Sequence, residues 1–185
     1  TSTLMMIAKD VKIQIEFNPA VVAEYRLIGY ENRLLEREDF NNDAVDAGDI
    51  GAGHTVTALY EIALVGSGGE RVDPLRYQSA ASVEDASGEL AFLRLRYKAP
   101  DADDSQLIEQ AIALDAEAEA SPRLAWAAAV AAFGQHLRGG RYLEGFGLDD
   151  IETLAQPARG KDPFGYRAEF IQLLRLADSQ SLATN

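Results

Sequence analysis

Oxygen-bearing side chains recur at short intervals in one segment, and their spacing could bind a cation. The segment contains Asp39, Asn41, Asp43, Asp46 and Asp49. Oxygen ligands at alternate positions suit calcium, and the opening Asp-x-Asn-x-Asp spacing resembles the start of an EF-hand loop. The sixth loop position is alanine instead of glycine, and the twelfth is isoleucine instead of the bidentate glutamate. We interpret the segment as a solvated acidic loop, with Asp39, Asp43, Asp46 and Asp49 as the metal ligands if calcium does bind.

Catalytic chemistry has weaker support in the sequence. The two histidines, His54 and His136, each lack a second histidine at the spacing of a metal site, so hydrogen-bonding or capping roles are favoured. With thirty acidic residues, a hydrolase that uses paired carboxylates stays an alternative. Its signature would be a cleft with two carboxyls roughly 5 to 9.5 Å apart and one raised pKa. We therefore predict no enzymatic activity, no catalytic residue and no cofactor.

Three basic residues, Arg94, Arg96 and Lys98, alternate along one segment. On a strand, such residues lie on one face of the sheet. In a chain this acidic we expect the basic stripe to form cross-strand pairs with acidic neighbours such as Glu16 or Glu24. The alternative is a docking surface for an acidic partner.

Charge and composition limit the classes of partner. The chain has 185 residues, 47% of them hydrophobic, and a formal net charge of -13. The negative charge is spread over both halves, so it argues against binding to nucleic acid or to anionic lipid. No apolar run approaches the eighteen or so residues of a membrane span. Zero cysteines exclude disulfides and thiolate sites. The chain opens with Thr-Ser-Thr, which we interpret as the start of a piece of a longer protein.

The first hundred residues show the period-two alternation of strands. Clear alternation covers residues 11–17, 23–27, 55–65 and 90–98, and residues 4–8 are either a further strand or the front of the first one. Alternation with one wet and one dry face favours antiparallel pairing. We therefore predict that residues 1–100 form an antiparallel β-sandwich-like module.

The pattern changes at residues 99–104, an acidic segment with proline that we interpret as a linker. Beyond it the predicted fold is a small α-helical subdomain, residues 101–185, which makes the fold class α+β. The predicted helices run from Ser105 to about Ala120, from Ser121-Pro122 to Gly139-Gly140, from Asp150 to about Gln156 with Asp149 and Glu152 as a capping pair, and onward from Asp162-Pro163.

Five segments carry a resemblance to a known family: residues 7–19, 25–33, 39–40, 46–62 and 93–98. They resemble the C-terminal region, of unknown function, of bacterial proteins that contain a von Willebrand factor type A domain. The resemblance implies that a type A domain precedes this chain and holds the metal site of such proteins, none of whose residues occur here. It also implies a periplasmic or cell-surface location, with a parent protein that is often lipid-anchored.

These observations lead to a functional prediction. We expect a non-enzymatic accessory module that follows and supports a type A domain and mediates protein–protein contacts. The expected partners are the type A domain of its own parent chain and an unidentified protein. Dimerisation through an open sheet edge is a further expectation, since an incomplete sheet leaves unpaired backbone groups.

Overall fold

The protein has an α+β fold, as predicted, and in the described residues six strands precede three helices. The computed structural model describes residues 5–29, 37–45, 47–72, 88–115 and 120–184. The chain divides into two compact units, residues 1–116 and residues 117–185. We call them the β unit and the helical unit and describe each separately.

The elements follow one another in a simple order. The strands are β1 Met6–Phe17, β2 Val22–Ile28, β3 Gly48–Gly51, β4 Leu59–Leu64, β5 Glu89–Lys98 and β6 Gln106–Ala113. The helices are α1 Pro122–Leu137, α2 Leu148–Ala158 and α3 Tyr166–Thr184, and a short 3-10 helix, Arg37–Asn41, lies between β2 and β3. In the described residues no helix is both long and apolar enough to cross a bilayer.

The larger sheet has four antiparallel strands in the order β3-β1-β5-β6. Its register places Ile13 opposite Leu95, which in turn lies opposite Ile108. Residues directly opposite one another share a face, so the sheet has one apolar and one basic face. The apolar face comprises Ile13, Ile15, Phe17, Ala91, Leu93, Leu95, Ile108 and Ile112. The basic face comprises Lys12, Arg94, Arg96 and Lys98.

The smaller sheet pairs β2 with β4. An aromatic cluster connects it to the larger sheet, since the Phe17 ring lies 4.6 Å from Tyr25 and 5.4 Å from Tyr60 between ring centroids. Beside it, Val22 is buried. The chain turns into β2 at Asn18, whose side-chain amide donates to the Glu89 carbonyl oxygen at 2.8 Å.

The predicted helix from Ser105 to Ala120 is wrong. Residues 106–113 form β6, which pairs with β5 along its whole length. Pairing with β5 overrides the helical propensity of this segment, as tertiary context often does. The acidic segment 99–104 is therefore the connection of a β-hairpin and not a linker between units. The β unit accordingly extends to residue 116, whereas the helical subdomain was predicted to begin at 101.

The first helix of the helical unit, α1, begins where the sequence predicts. Ser121 caps α1, because its hydroxyl oxygen accepts a hydrogen bond from the Leu124 N–H at 3.2 Å. The capping pair predicted for the next helix is wrong by a few residues. Asp150 accepts the Gly147 N–H at 2.8 Å, while Glu152 accepts hydrogen bonds from Arg175 and Gln156.

The core of the helical unit forms between three helix faces. Its buried residues are Ala129, Ala132, Leu148, Ile151, Ala155, Ile171 and Leu174. The small alanines let α1 approach α2 closely, and Phe170 of α3 contacts Trp126 and Phe133 of α1 edge to face. Arg167 lies over the Trp126 ring, 4.7 Å from its centroid, and donates to the carbonyl oxygens of Ala158 and Arg159 at the end of α2.

Truncation of the fully buried Ile151 tests this core. We expect Ile151→Ala to lower the free energy of unfolding of the helical unit by about 2–5 kcal/mol, because a cavity replaces the lost contacts. Leu173→Ala is the matched control, since Leu173 lies exposed on α3 and should cost only about 0.5 kcal/mol. Urea unfolding followed by the fluorescence of the single tryptophan, Trp126, measures both. Equal losses would contradict the assigned core.

Candidate functional site

The basic face of the larger sheet is covered by the 3-10 helix and by the residues between Asp39 and Asp49, which we call the acidic segment. Lys12 in β1 is only 3% exposed, whereas the neighbouring Ile13 on the apolar face is 45% exposed. Phe40 of the 3-10 helix, at 2% exposure, is the most deeply buried aromatic residue of the described β unit. The alternation of β1 and β5 was predicted correctly. The polar face, which was expected to be exposed to solvent, is however covered around Lys12 and Phe40.

Two ammonium groups hold the acidic segment to the sheet. Lys12 Nζ donates to the carbonyl oxygens of Asp39, at 3.2 Å, and of Asn42. Lys98 Nζ donates to the Asp43 carbonyl oxygen at 2.9 Å and forms an ion pair with Asp10 at 2.8 Å. We call Lys12, Lys98 and the carbonyl groups of Asp39, Asn42 and Asp43 the lysine clamp. It adds hydrogen bonds to the sheet for a segment whose own bonds here are turns, from the Asn42 N–H to the Asp39 carbonyl and from the Val45 N–H to the Asn42 carbonyl.

The two arginines of the basic face complete the contact. The guanidinium carbons of Arg94 and Arg96 lie 5.4 and 5.8 Å from the centroid of the Phe40 ring, within the range of a cation–π interaction. Arg96 also donates to the Asn41 side chain at 3.2 Å and to the Ser105 hydroxyl at 2.7 Å. The 3-10 helix is thus held through backbone carbonyls, an aromatic ring and an amide side chain.

A bulge in β1 places Asp10 for this arrangement. The register of β1 with β5 shifts between Lys9 and Lys12, and Asp10 has a positive φ of 52°, a region that aspartate tolerates better than most residues. Its carboxylate reaches Lys98 and also accepts the Ala47 N–H at 3.3 Å. Asp49 in turn accepts the Asp10 N–H at 3.3 Å, so the bulge holds the C-terminal end of the acidic segment.

The charges of the clamp shift two pKa values. A hydrogen bond from the Ser105 hydroxyl, together with nearby Lys98 and Arg96, lowers the pKa of Asp43. The hydrogen bond to Asp10, with further attraction to Asp43 and Asp103, raises the pKa of Lys98. Both shifts favour the ionised forms of Asp43 and Lys98, so these two side chains are charged at neutral pH.

The four candidate calcium ligands are placed differently from an EF-hand. Asp39 and Asp43 offer their backbone carbonyls to the clamp lysines, and Asp49 contacts the bulge, while Asp46 lies outside the described residues. Within the ranges that the structure describes, no group of three or more histidine, cysteine or acidic side chains could hold a metal ion. Calcium binding by this segment stays an alternative to its interpretation as a solvated loop.

The basic stripe does pair with acidic residues, but with other partners than those predicted. Arg94 pairs with Glu109 of β6 at 3.0 Å and Lys98 with Asp10. Glu24 instead accepts the backbone N–H groups of Arg71 and Val72. Sequence reasoning missed Lys12 as a functional side chain. Two features of the sequence could have indicated it: Lys12 lies on the polar face of the first strand, and the chain contains a strongly acidic loop that a lysine could bind.

The residues considered for catalysis lie elsewhere. His54 is exposed in a loop before β4, and His136 lies half-buried in the last turn of α1. A shallow cleft of about 320 Å³ beside Asn18 is lined by Glu16 and Glu89 among others.

The shifted carboxyls outside the clamp are all lowered in the described part of the chain. The Ala168 amide lowers the pKa of Asp162, and Arg175 lowers that of Glu152. Burial acts to raise the pKa of Glu61, but hydrogen bonds from Arg71 and Arg26 outweigh it and lower that pKa. The hydrolase alternative requires a raised pKa, so these carboxyls do not supply its general acid.

Removal of one ammonium tests the clamp. We expect Lys12→Met to lower the free energy of unfolding of the β unit by about 1–3 kcal/mol, because it removes the charged hydrogen bonds that join the Asp39 and Asn42 carbonyls to the sheet. Lys9→Met, which removes the same charge from the same strand, should cost about 0.5 kcal/mol or less. Hydrogen exchange of the β1 and β5 amides measures both. Equal effects of the two variants would refute the clamp.

The pKa shifts also predict a pH dependence. Asp43 has a lowered pKa, so its stabilising effect is present above its unfolded value of 3.8 and is lost as pH falls through the folded value. Lys98 has a raised pKa, so its effect is present below 10.5 and is lost as pH rises through the folded value. We expect thermal melts of the β unit to lose less stability below pH 4 in Asp43→Asn than in Asp101→Asn, which removes the same charge from the β5–β6 connection. An identical acid loss in both variants would exclude this role of Asp43.

Comparison with known proteins places the chain in a family. The family model described as "Uncharacterized protein YfbK, C-terminal" matches residues 2–180. The chain is 51% identical over 177 residues to "Uncharacterized protein YfbK" of Escherichia coli (strain K12), an alignment that covers 95% of this chain and 30% of that protein. No solved structure matches the chain. The chain thus spans less than a third of its curated relative, and it belongs to the family of YfbK C-terminal domains.

Proposed function

We propose that this chain is a non-enzymatic accessory module of a longer protein and that it contacts another domain of the same parent through the apolar face of its larger sheet. The observation that carries the proposal is the exposure of that face. Ile13 and Ile108 lie opposite Leu95 on either side and are 45% and 51% exposed. Contiguous exposed apolar residues of this kind mark contact surfaces.

The two faces of the sheet differ in how they are covered. The basic face carries the 3-10 helix and the acidic segment, which bury Lys12 and Phe40. On the apolar face, the Phe17 end contacts Tyr25 and Tyr60 of the smaller sheet. At the other end, no described residue of the β unit buries Ile13 or Ile108. A sheet in a stable domain packs its apolar face against a second layer. The surface around Ile13 and Ile108 is where such a layer would pack.

The proposed second layer is a domain of the parent protein. The relative from Escherichia coli is more than three times as long as the region that this chain matches. Its remaining length offers a partner that is tethered to the module, so the contact forms at high effective concentration and needs little intrinsic affinity. The resemblance stated above implies that this partner is a von Willebrand factor type A domain. A periplasmic or cell-surface location stays a prediction from the same resemblance.

A charged substitution on the apolar face tests the contact in the full-length parent protein. We expect Ile13→Asp to cost about 1.5–3 kcal/mol there, the value of one buried isoleucine, and to lower the melting temperature of the parent. It should also raise hydrogen exchange along β1 and β5. In the 185-residue chain alone the same variant should lower the melting temperature much less, because Ile13 is already 45% exposed there.

The matched control is Val56→Asp, which introduces the same charge at an exposed valine before β4. It should leave both proteins unchanged. If Ile13→Asp destabilises the full-length parent no more than it does the 185-residue chain, the apolar face is not the contact surface. Turnover of a substrate by the parent without its preceding domain would defeat the non-enzymatic assignment.

A further inference from the structure

We infer that the free edge of β6 pairs antiparallel with β6 of a second copy of this chain, in a register centred on Gln110. The inference concerns an edge, so it is independent of the contact proposed for the apolar face. Its product is a two-fold symmetric dimer in which two four-stranded sheets continue into one.

The edge is open in the part of the chain that the structure describes. Strand β6 is the outermost strand of the larger sheet and pairs with β5 alone. Seven of its eight residues are exposed, and Ile112 is partly so. Its outward N–H and C=O groups therefore form a template for one more strand.

The edge also lacks the features that usually prevent such pairing. Proteins protect exposed edges with proline, lysine, bulges or short strands. The sequence of β6 is Gln-Leu-Ile-Glu-Gln-Ala-Ile-Ala, with no proline, glycine or lysine. Its pairing with β5 is regular from Gln106 to Ile112. Its one charge, Glu109, forms an ion pair with Arg94 at 3.0 Å, so it opposes association less than a free carboxylate would.

The sequence of β6 is complementary to itself in one register. In a two-fold antiparallel pair centred on Gln110, Ile108 of each copy lies opposite Ile112 of the other. Gln110 then faces its own equivalent, and Glu109 lies opposite Ala111. Apolar pairs meet on the apolar face and amides can hydrogen-bond across the axis, both of which stabilise a sheet. The register centred on Glu109 would instead place two carboxylates directly opposite each other, which is destabilising.

These features favour a second copy over an unrelated strand. Two copies of β6 form the Ile108–Ile112 pairs by themselves, without a strand of different sequence. The apolar faces of the two sheets also join without interruption, since Ile108 and Ile112 belong to that face. Other strands that could use this edge are outcomes of the experiments below.

A single cysteine measures the register. The chain has no cysteine, so any disulfide is formed by the introduced residue. In the proposed register the two Cα atoms of residue 110 lie about 4.5–5.5 Å apart, within the range that a disulfide bridges. We expect Gln110→Cys to form a covalent dimer under mild oxidation at least tenfold faster than Leu107→Cys.

Leu107→Cys is the matched control, because Leu107 is exposed on the same strand and its two copies would lie six residues apart, about 20 Å. The covalent dimer should keep the circular dichroism of the native chain. Equal rates for the two variants, or a faster reaction of Leu107→Cys, would overturn the register.

A charge pair measures the association without a covalent bond. Ile108→Lys with Ile112→Lys places like charges opposite each other twice and should give a monomer in sedimentation experiments. Ile108→Lys with Ile112→Glu places opposite charges there and should restore the dimer. The two double variants alter the same positions, and thermal melts show whether both fold.

The unmodified chain should show a monomer–dimer equilibrium as its concentration rises. A monomer at every concentration would overturn the inference. Restoration of the dimer by neither or by both double variants would overturn the register. A strand of the parent that displaces the second copy in the full-length protein, with the 185-residue chain monomeric, would assign the edge to that strand instead.

Discussion

The β unit depends on the burial of the Lys12 ammonium group. A charged group that leaves water loses several kcal/mol of hydration unless polar partners replace it, and here the Asp39 and Asn42 carbonyls do so. Each of these carbonyls also accepts a turn N–H of its own segment, and Lys12 adds the hydrogen bond that joins the segment to the sheet. The position of the 3-10 helix, the burial of Phe40 and the identity of the covered face all follow from this contact.

The clamp also explains how four cations can lie close together on one face of the larger sheet. Lys12, Arg94, Arg96 and Lys98 lie on one face of neighbouring strands, where they would repel one another without counter-charges. Asp10 and Glu109 supply carboxylates, and the Phe40 ring supplies its negative π face. The basic face is therefore an internal contact of the β unit.

The predictable part of the fold was the part with local signals. Strict alternation located β1, β2 and β5, and the Ser121-Pro122 pair located the start of α1. Strand β6 was mistaken for a helix because its pairing with β5 determines its conformation, and its own residues do not indicate a strand. Strand β3 is only four residues long, too short for a periodic signal. The acidic segment was recognised, but its backbone carbonyls, which make the contacts, carry no side-chain signature.

The pairing of β1 with β5 has a consequence for synthesis of the chain. The Asn18 side chain at the end of β1 bonds Glu89 at the start of β5, 71 residues later. At a translation rate of 5–20 residues per second, β1 waits about 4–14 seconds for this partner. Meanwhile its isoleucines lack a neighbour, a condition in which strands aggregate. Lys12, Gln14 and Glu16, which alternate with those isoleucines, interrupt the apolar run in the nascent chain. The same lysine that later holds the acidic segment thus protects the strand before the sheet exists.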